Sequence, residues 1–219
     1  MTDPIGLDEA YAVRTPDDSR RLYARWAETY DTDFVDATQY RYPELVADLF
    51  VAVAPGLTGP VLDVGCGTGL VGTAIAERHP DDPAIDGVDI SPEMIDRAAR
   101  RQRPDGRPVY HRLIEADLTQ PVDVPDHAYA ALVSAGTFTH GHLGPTDLTR
   151  LTRLVRPGGT FVVGVNAQHY AELGFGDALD AAVRAGEITD LQLDDLPIYG
   201  PDSPHAGDLA TLAVFRCAG

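Results

Sequence analysis

The chain has 219 residues, 44% of them hydrophobic, enough for one core of a single α/β domain; its formal charge is -17, and all 17 basic residues are Arg. So acidic a composition disfavours a nucleic-acid partner, which gains affinity from clustered positive charge, and the one dense basic stretch, Arg97 to Arg107, lies among acids. The longest apolar run, Leu49 to Leu57, is broken by Pro55 and Gly56 and is too short to cross a bilayer, so no membrane partner is expected. Cys66 and Cys217 are too few for a disulfide framework or a zinc set, and with no leader pattern at the start a cytoplasmic location is expected.

Residues 1–18 are polar, carry Pro4 and Pro16 and show no apolar periodicity, which predicts a mobile N-terminus with order beginning near Ser19. From Arg20 to Phe34, the residues Leu22, Tyr23, Trp26, Ala27 and Tyr30 recur at three- and four-residue spacing, the mark of one helical face. A second helical pattern runs from Pro43 to Val53, so residues 19–56 read as a helical cap. Pro55, Gly56, Gly59 and Pro60 then break the chain ahead of a core over residues 57–219.

In that core Val61–Val64 reads as a buried strand, Leu70–Arg78 as a helix, Ile85–Ile90 as a strand and Pro92–Arg103 as a helix. Val109–Ala116 and Tyr129–Ala135 supply two more strands, Thr146–Val155 a helix, and Thr160–Val165 a fifth strand after the turn Arg156 to Gly159. Asp177–Ala185 reads as a last helix, with Ile188–Tyr199 and Leu209–Phe215 as a closing pair of strands. Repeated βαβ units with right-handed crossovers predict an α/β fold with a doubly wound, mostly parallel sheet.

The strongest chemical signal is Leu62-Asp63-Val64-Gly65-Cys66-Gly67-Thr68-Gly69, a strand running into a glycine turn that opens a helix, where the backbone can approach a ligand closely. Gly67, Gly69 and Gly72 also fit a dinucleotide-binding spacing. Asp63 discriminates, because an acid two residues before the first glycine is expected to face the pocket, where it suits an ammonium group and repels a pyrophosphate. Twenty residues beyond Gly69, Asp89 ends the second strand, placed to accept both hydroxyl hydrogens of an adenosine ribose. Ile90 then offers an apolar surface to the adenine, and Ser91-Pro92-Glu93 reads as the cap and first turn of the next helix. After the third strand Asp117 can accept from the adenine amino group, and the Leu118 backbone N–H can donate to a ring nitrogen.

LDVGCGTG, GVDIS, EADL and RPGG, in this order over residues 57–166, resemble the class I S-adenosylmethionine-dependent methyltransferase family. Tyr23 to Asp31 and Gly136 to Pro145 are similar to the small-molecule methyltransferases grouped with the Williams-Beuren-region protein. The resemblance implies a Rossmann-like sheet finishing in an antiparallel hairpin under the N-terminal helical cap. It implies S-adenosyl-L-methionine as cofactor, S-adenosyl-L-homocysteine as product, an oxygen, nitrogen or carbon nucleophile on a small-molecule methyl acceptor, and a monomer or homodimer. The implied cofactor site is Tyr23, Tyr30, Asp63, Gly65, Cys66, Gly67, Asp89, Ile90, Met94, Asp117, Leu118 and Ser134.

The aromatic stripe of Tyr23, Trp26 and Tyr30 could cover the cofactor, with cation–π attraction to its sulfonium; for Trp26 core packing is the expectation, for Tyr30 ligand contact. His140 and His142 follow the fourth strand, where acceptor sites open, and His140 is the candidate to orient or deprotonate the acceptor, with Tyr30 as the other catalytic candidate. No acid or cysteine near them completes a metal set, so no metal is expected. Two other readings stay open. A dinucleotide-dependent oxidoreductase shares the turn and Asp89 but leaves Asp63, EADL and RPGG unexplained; a non-catalytic cofactor-binding domain acting through a partner protein accounts for every motif without an acceptor site.

Overall fold

The short apolar runs become strands and the segments between them become helices. In the computed structural model, which describes residues 9–10 and 12–219, α1 (Pro16–Trp26), a π-helical segment (Tyr30–Asp36) and α2 (Tyr42–Val53) precede the sheet. Then come β1 (Val61–Val64), α3 (Leu70–Arg78), β2 (Ile85–Asp89), α4 (Pro92–Ala98) and β3 (Tyr110–Glu115). They are followed by β4 (Tyr129–Phe138), α5 (Pro145–Leu151), a 3-10 turn (Thr152–Leu154) and β5 (Val155–Asn166). Helices α6 (Ala167–Leu173) and α7 (Phe175–Ala185) lead to β6 (Ile188–Pro197) and β7 (Leu209–Cys217).

The strands form one sheet in the order β3-β2-β1-β4-β5-β7-β6. β1 pairs in parallel with β2 on one side and β4 on the other, β2 with β3 and β4 with β5, while β7 runs antiparallel between β5 and β6. The chain therefore winds outward both ways from β1, and such a reversal leaves a crevice above the carboxyl ends of β1 and β4. β1 and β2 are buried at every residue, as strands covered on both faces must be. Alternate residues feed two cores: Val61, Ala131 and Val133 join Trp26 and Phe50 on one face, and Leu62, Leu132 and Phe161 join Phe138, Phe175 and Phe215 on the other.

The structure moves several expected boundaries, each for a tertiary reason. Helix α1 begins at Pro16 with Thr15 accepting from the Asp18 N–H, and Val13 is buried, so order starts before Ser19; of the expected mobile stretch 1–18, residues 1–8 and 11 lie outside the described residues. The predicted helix from Arg20 to Phe34 divides after Trp26 into α1 and the π-helical segment. Helix α4 ends at Ala98 instead of Arg103, because the buried Arg103 guanidinium is drawn away to the carbonyls of Pro83 and Val109 and to Asp82, and Pro104 follows. The turn Arg156 to Gly159 sits inside β5, whose register with β4 jumps between Tyr129 and Ala131. Helix α6, not expected from the sequence, is capped by the Asn166 side chain accepting from the His169 N–H. No helix among the described residues is long and apolar enough to cross a membrane.

Candidate active site

The turn after β1 is built by backbone conformations that side chains resist. Gly65, Gly67 and Gly69 all take positive φ, at 66°, 52° and 91°. The space beside Gly65 is filled by Thr137, and a Cβ there would collide with its hydroxyl and methyl group. Thr137 and Ser134 both donate to the Val64 carbonyl, at 3.0 and 2.8 Å, stitching the end of β4 to the turn.

The turn opens onto a cavity of about 250 Å3 at the carboxyl edge of the parallel strands. The structure brings ten of the predicted cofactor residues to its wall: Tyr23, Tyr30, Gly65, Cys66, Gly67, Asp89, Ile90, Met94, Asp117 and Leu118. Asp89 is almost fully buried; one of its oxygens accepts the Gly67 N–H and the other the Ser91 N–H, both at 2.9 Å. Each oxygen keeps further lone-pair capacity toward the cavity. Burial raises the Asp89 pKa, and those two N–H donors oppose the rise by favouring the charged form. Asp117 gives one oxygen to the N–H and hydroxyl of Thr119. Burial pushes the Cys66 thiol well above its usual range, which keeps it protonated.

Three expected site residues lie elsewhere. Asp63 is completely buried under the glycine turn, where one oxygen accepts from the Tyr110 hydroxyl at 2.6 Å and the Gly72 N–H at 3.2 Å; it is not on the cavity wall. Its surroundings are those of a structural carboxyl: burial drives its pKa to about 7, against the pull of those two donors. Ser134 is turned inward by its bond to Val64. His140 also falls outside the wall, its ring packed 5.5 Å from His169 and its Nε2 3.8 Å from Glu172.

His142 stands on the wall instead, with its ring 5.8 Å from Tyr23. Its Nδ1 lies 2.8 Å from the His140 carbonyl, which can only accept, so Nδ1 carries the proton and Nε2 keeps a lone pair. Burial lowers the His142 pKa, so the ring stays neutral at pH 7. Trp26 packs in the core, as expected.

Two further parts of the site lie outside the expected cofactor set. Asp31, which follows Tyr30 in the π-helical segment, accepts from the Thr68 hydroxyl at 2.7 Å and from the Arg101 guanidinium, while Arg101 Nε donates to the Thr68 carbonyl at 2.9 Å. This latch ties the N-terminal segment to the glycine turn. Tyr40 also reaches the wall, and it is joined to Tyr199 across an isolated bridge. The Tyr30 and Tyr40 hydroxyls are buried and pushed far above the usual phenol range, so both are neutral. A pairing of Asp31 with Arg101 spans 70 residues, and no local pattern announces it.

A family described as a methyltransferase domain matches residues 61–159. Human methyltransferase-like protein 27 is 33% identical over 173 residues, 77% of this chain and 66% of that protein. A ribosomal RNA small subunit methyltransferase G of Leptothrix cholodnii is 26% identical over 186 residues, 80% of this chain and 78% of that protein. The match spans 66% and 54% of the lengths of the first two curated relatives. Among solved structures SpnF, a 4+2 cyclase, superposes with a TM-score of 0.68 at 18% identity, over 94% of this chain and 98% of that one, a likeness of fold alone. With the glycine turn, the strand-end acid and the crevice at the sheet reversal all in place, this chain belongs to the class I S-adenosylmethionine-dependent methyltransferases.

Proposed function

We propose that the chain transfers a methyl group from S-adenosylmethionine to an oxygen, nitrogen or carbon nucleophile of a small molecule. The observation that carries the reading is Asp89, a nearly buried carboxylate preset by the Gly67 and Ser91 N–H groups on the wall of the crevice. Such a group, its own orientation already fixed, suits the two hydroxyls of an adenosine ribose. Ile90, Met94 and Leu118 would flank the adenine, and the free oxygen of Asp117 would take its amino hydrogens. S-adenosylmethionine, when bound, supplies a methyl group already electrophilic on its sulfonium.

The chain's task is then to hold the acceptor in line, which can supply roughly 7 to 11 kcal/mol. His142, neutral and with Nε2 unprotonated, is the group placed to take a proton from an acceptor that holds one, a role that passes to it from His140. The charge of -17 and the absence of Lys favour a small acceptor over RNA, although the Leptothrix relative is described as acting on ribosomal RNA.

Calorimetry with S-adenosylhomocysteine and with NAD tests the cofactor. S-adenosylhomocysteine should bind, and Asp89→Ala should weaken it by roughly 1.5 to 3 kcal/mol through loss of charge-assisted hydrogen bonds. Binding of NAD alone would establish the oxidoreductase reading instead. Labelled-methyl turnover on a metabolite extract then separates an enzyme from a cofactor-binding domain that acts through a partner.

A further inference from the structure

Behind the main cavity lies a smaller one, about 50 Å3, beneath the N-terminal segment. Seven of its twelve lining residues are aromatic, Tyr23, Trp26, Tyr30, Phe34, Tyr40, Tyr42 and Tyr199; Ala10, Gly136 and Ile198 join them, Thr139 and Asn166 are the polar side chains, and none of the described lining residues is charged. The rings form a continuous shell, with centroids 5.0 Å apart for Trp26 and Tyr30, 5.1 Å for Trp26 and Phe34, 5.0 Å for Phe34 and Tyr40, and 5.3 Å for Tyr40 and Tyr199. Tyr23, Tyr30, Tyr40 and Gly136 line both spaces, so one layer of residues divides them, and at Gly136 that layer is bare backbone. A Cβ at Gly136 would come within 2.9 Å of the Tyr40 hydroxyl.

We infer that this aromatic box is the acceptor's anchoring site and that it takes the ammonium end of a small amino alcohol. The inference rests on the methyl-transfer reading for the word acceptor, but the binding it describes stands apart from any turnover. Ring faces carry negative charge density and attract alkylammonium groups, more strongly where water is excluded. Among the described residues the wall has no cation to repel such a group and none to recruit a carboxylate or phosphate, and the chain as a whole carries -17. A head group of about four or five heavy atoms suits a space that would hold roughly three or four waters. Trp26 is 1% exposed, and its indole N–H has no acceptor among the described residues. A ligand hydroxyl oxygen beside the cation would supply one, as a buried donor requires. With the cation in the box, the layer of Tyr23, Tyr30, Tyr40 and Gly136 is all that separates the acceptor from the main cavity, where His142 stands.

Trp26 is the chain's single tryptophan, so its emission reports on this box directly. The test titrates the unmodified chain with three probes of one shape: choline, 3,3-dimethylbutan-1-ol, which replaces the cationic nitrogen by carbon, and 3,3-dimethylbutanoate. Choline should shift or quench Trp26 emission with an affinity at least tenfold above the neutral alcohol, and the carboxylate should be weaker still. Phe34→Leu, which removes one ring at similar volume, should weaken choline at least fivefold and leave the alcohol unchanged. Equal binding of choline and the alcohol, preference for the carboxylate, or no response to choline at millimolar concentration would overturn the inference. Loss of choline binding alongside intact S-adenosylhomocysteine binding would sink this proposal alone, and the reverse pattern would sink only the methyl-transfer reading.

Discussion

Asp63→Asn should make the protein more stable at pH 8 than the natural chain. Asp63 is completely buried, and its pKa is raised from 3.8 to about 7, chiefly by burial. A carboxyl with a raised folded-state pKa contributes most below its unfolded value, and that contribution is lost as pH climbs through the folded one. The loss therefore falls between about pH 4 and pH 7, and roughly 3 pH units at about 1.4 kcal/mol each put it on the order of 4 kcal/mol. Asn keeps an oxygen for the Tyr110 hydroxyl and the Gly72 N–H but cannot ionise. Denaturant unfolding of both chains from pH 5 to pH 8 measures the difference directly, since the other titrating groups are common to both. The natural chain should lose stability relative to the variant as pH rises. Parallel curves, or a variant less stable at pH 8, would refute the reasoning.

Arg101→Gln should release the π-helical segment while barely moving global stability, because its ion pair with Asp31 is only partly buried and such pairs are worth about 1 kcal/mol or less. Amide hydrogen exchange over residues 30–36 should quicken, and unchanged protection there would count against the latch. His142→Ala should lower turnover on an identified acceptor at least about tenfold and leave S-adenosylhomocysteine affinity within about twofold, with His140→Ala near normal. The opposite ranking would return the proton-handling role to His140.

The elements legible in the sequence were those whose signal is local. β1 and α3 lie where the apolar run Val61 to Val64 and the break at Gly65 to Gly69 put them, and Asp89 reached the cavity because a strand end leaves little choice of direction. The failures are tertiary. α4 is shorter than its pattern because Arg103 finds buried carbonyls 20 and 6 residues away. Asp63 was expected on the cavity wall, but its orientation depends on Tyr110, 47 residues along the chain. The choice between His140 and His142 turns on a single imidazole-to-carbonyl contact within the loop, which spacing cannot register. The aromatic box draws on residues from α1 to the β6–β7 connection, so each of its rings alone reads as ordinary core.

The place of β7 has a consequence for how the chain is made. On the ribosome β6 emerges before β7, yet β7 must lie between it and β5. Until residues 209–217 appear, the outer edge of β5, which carries Val162, Val163 and Val165, is unpaired. β6 is a poor substitute partner: Thr189, Asp190, Gln192, Asp194 and Asp195 are all exposed, and such a charged strand resists docking on an apolar edge. Until β7 is in place the sheet stays open on one side, and a chain cut after residue 197 would expose β5 as an unpaired apolar edge.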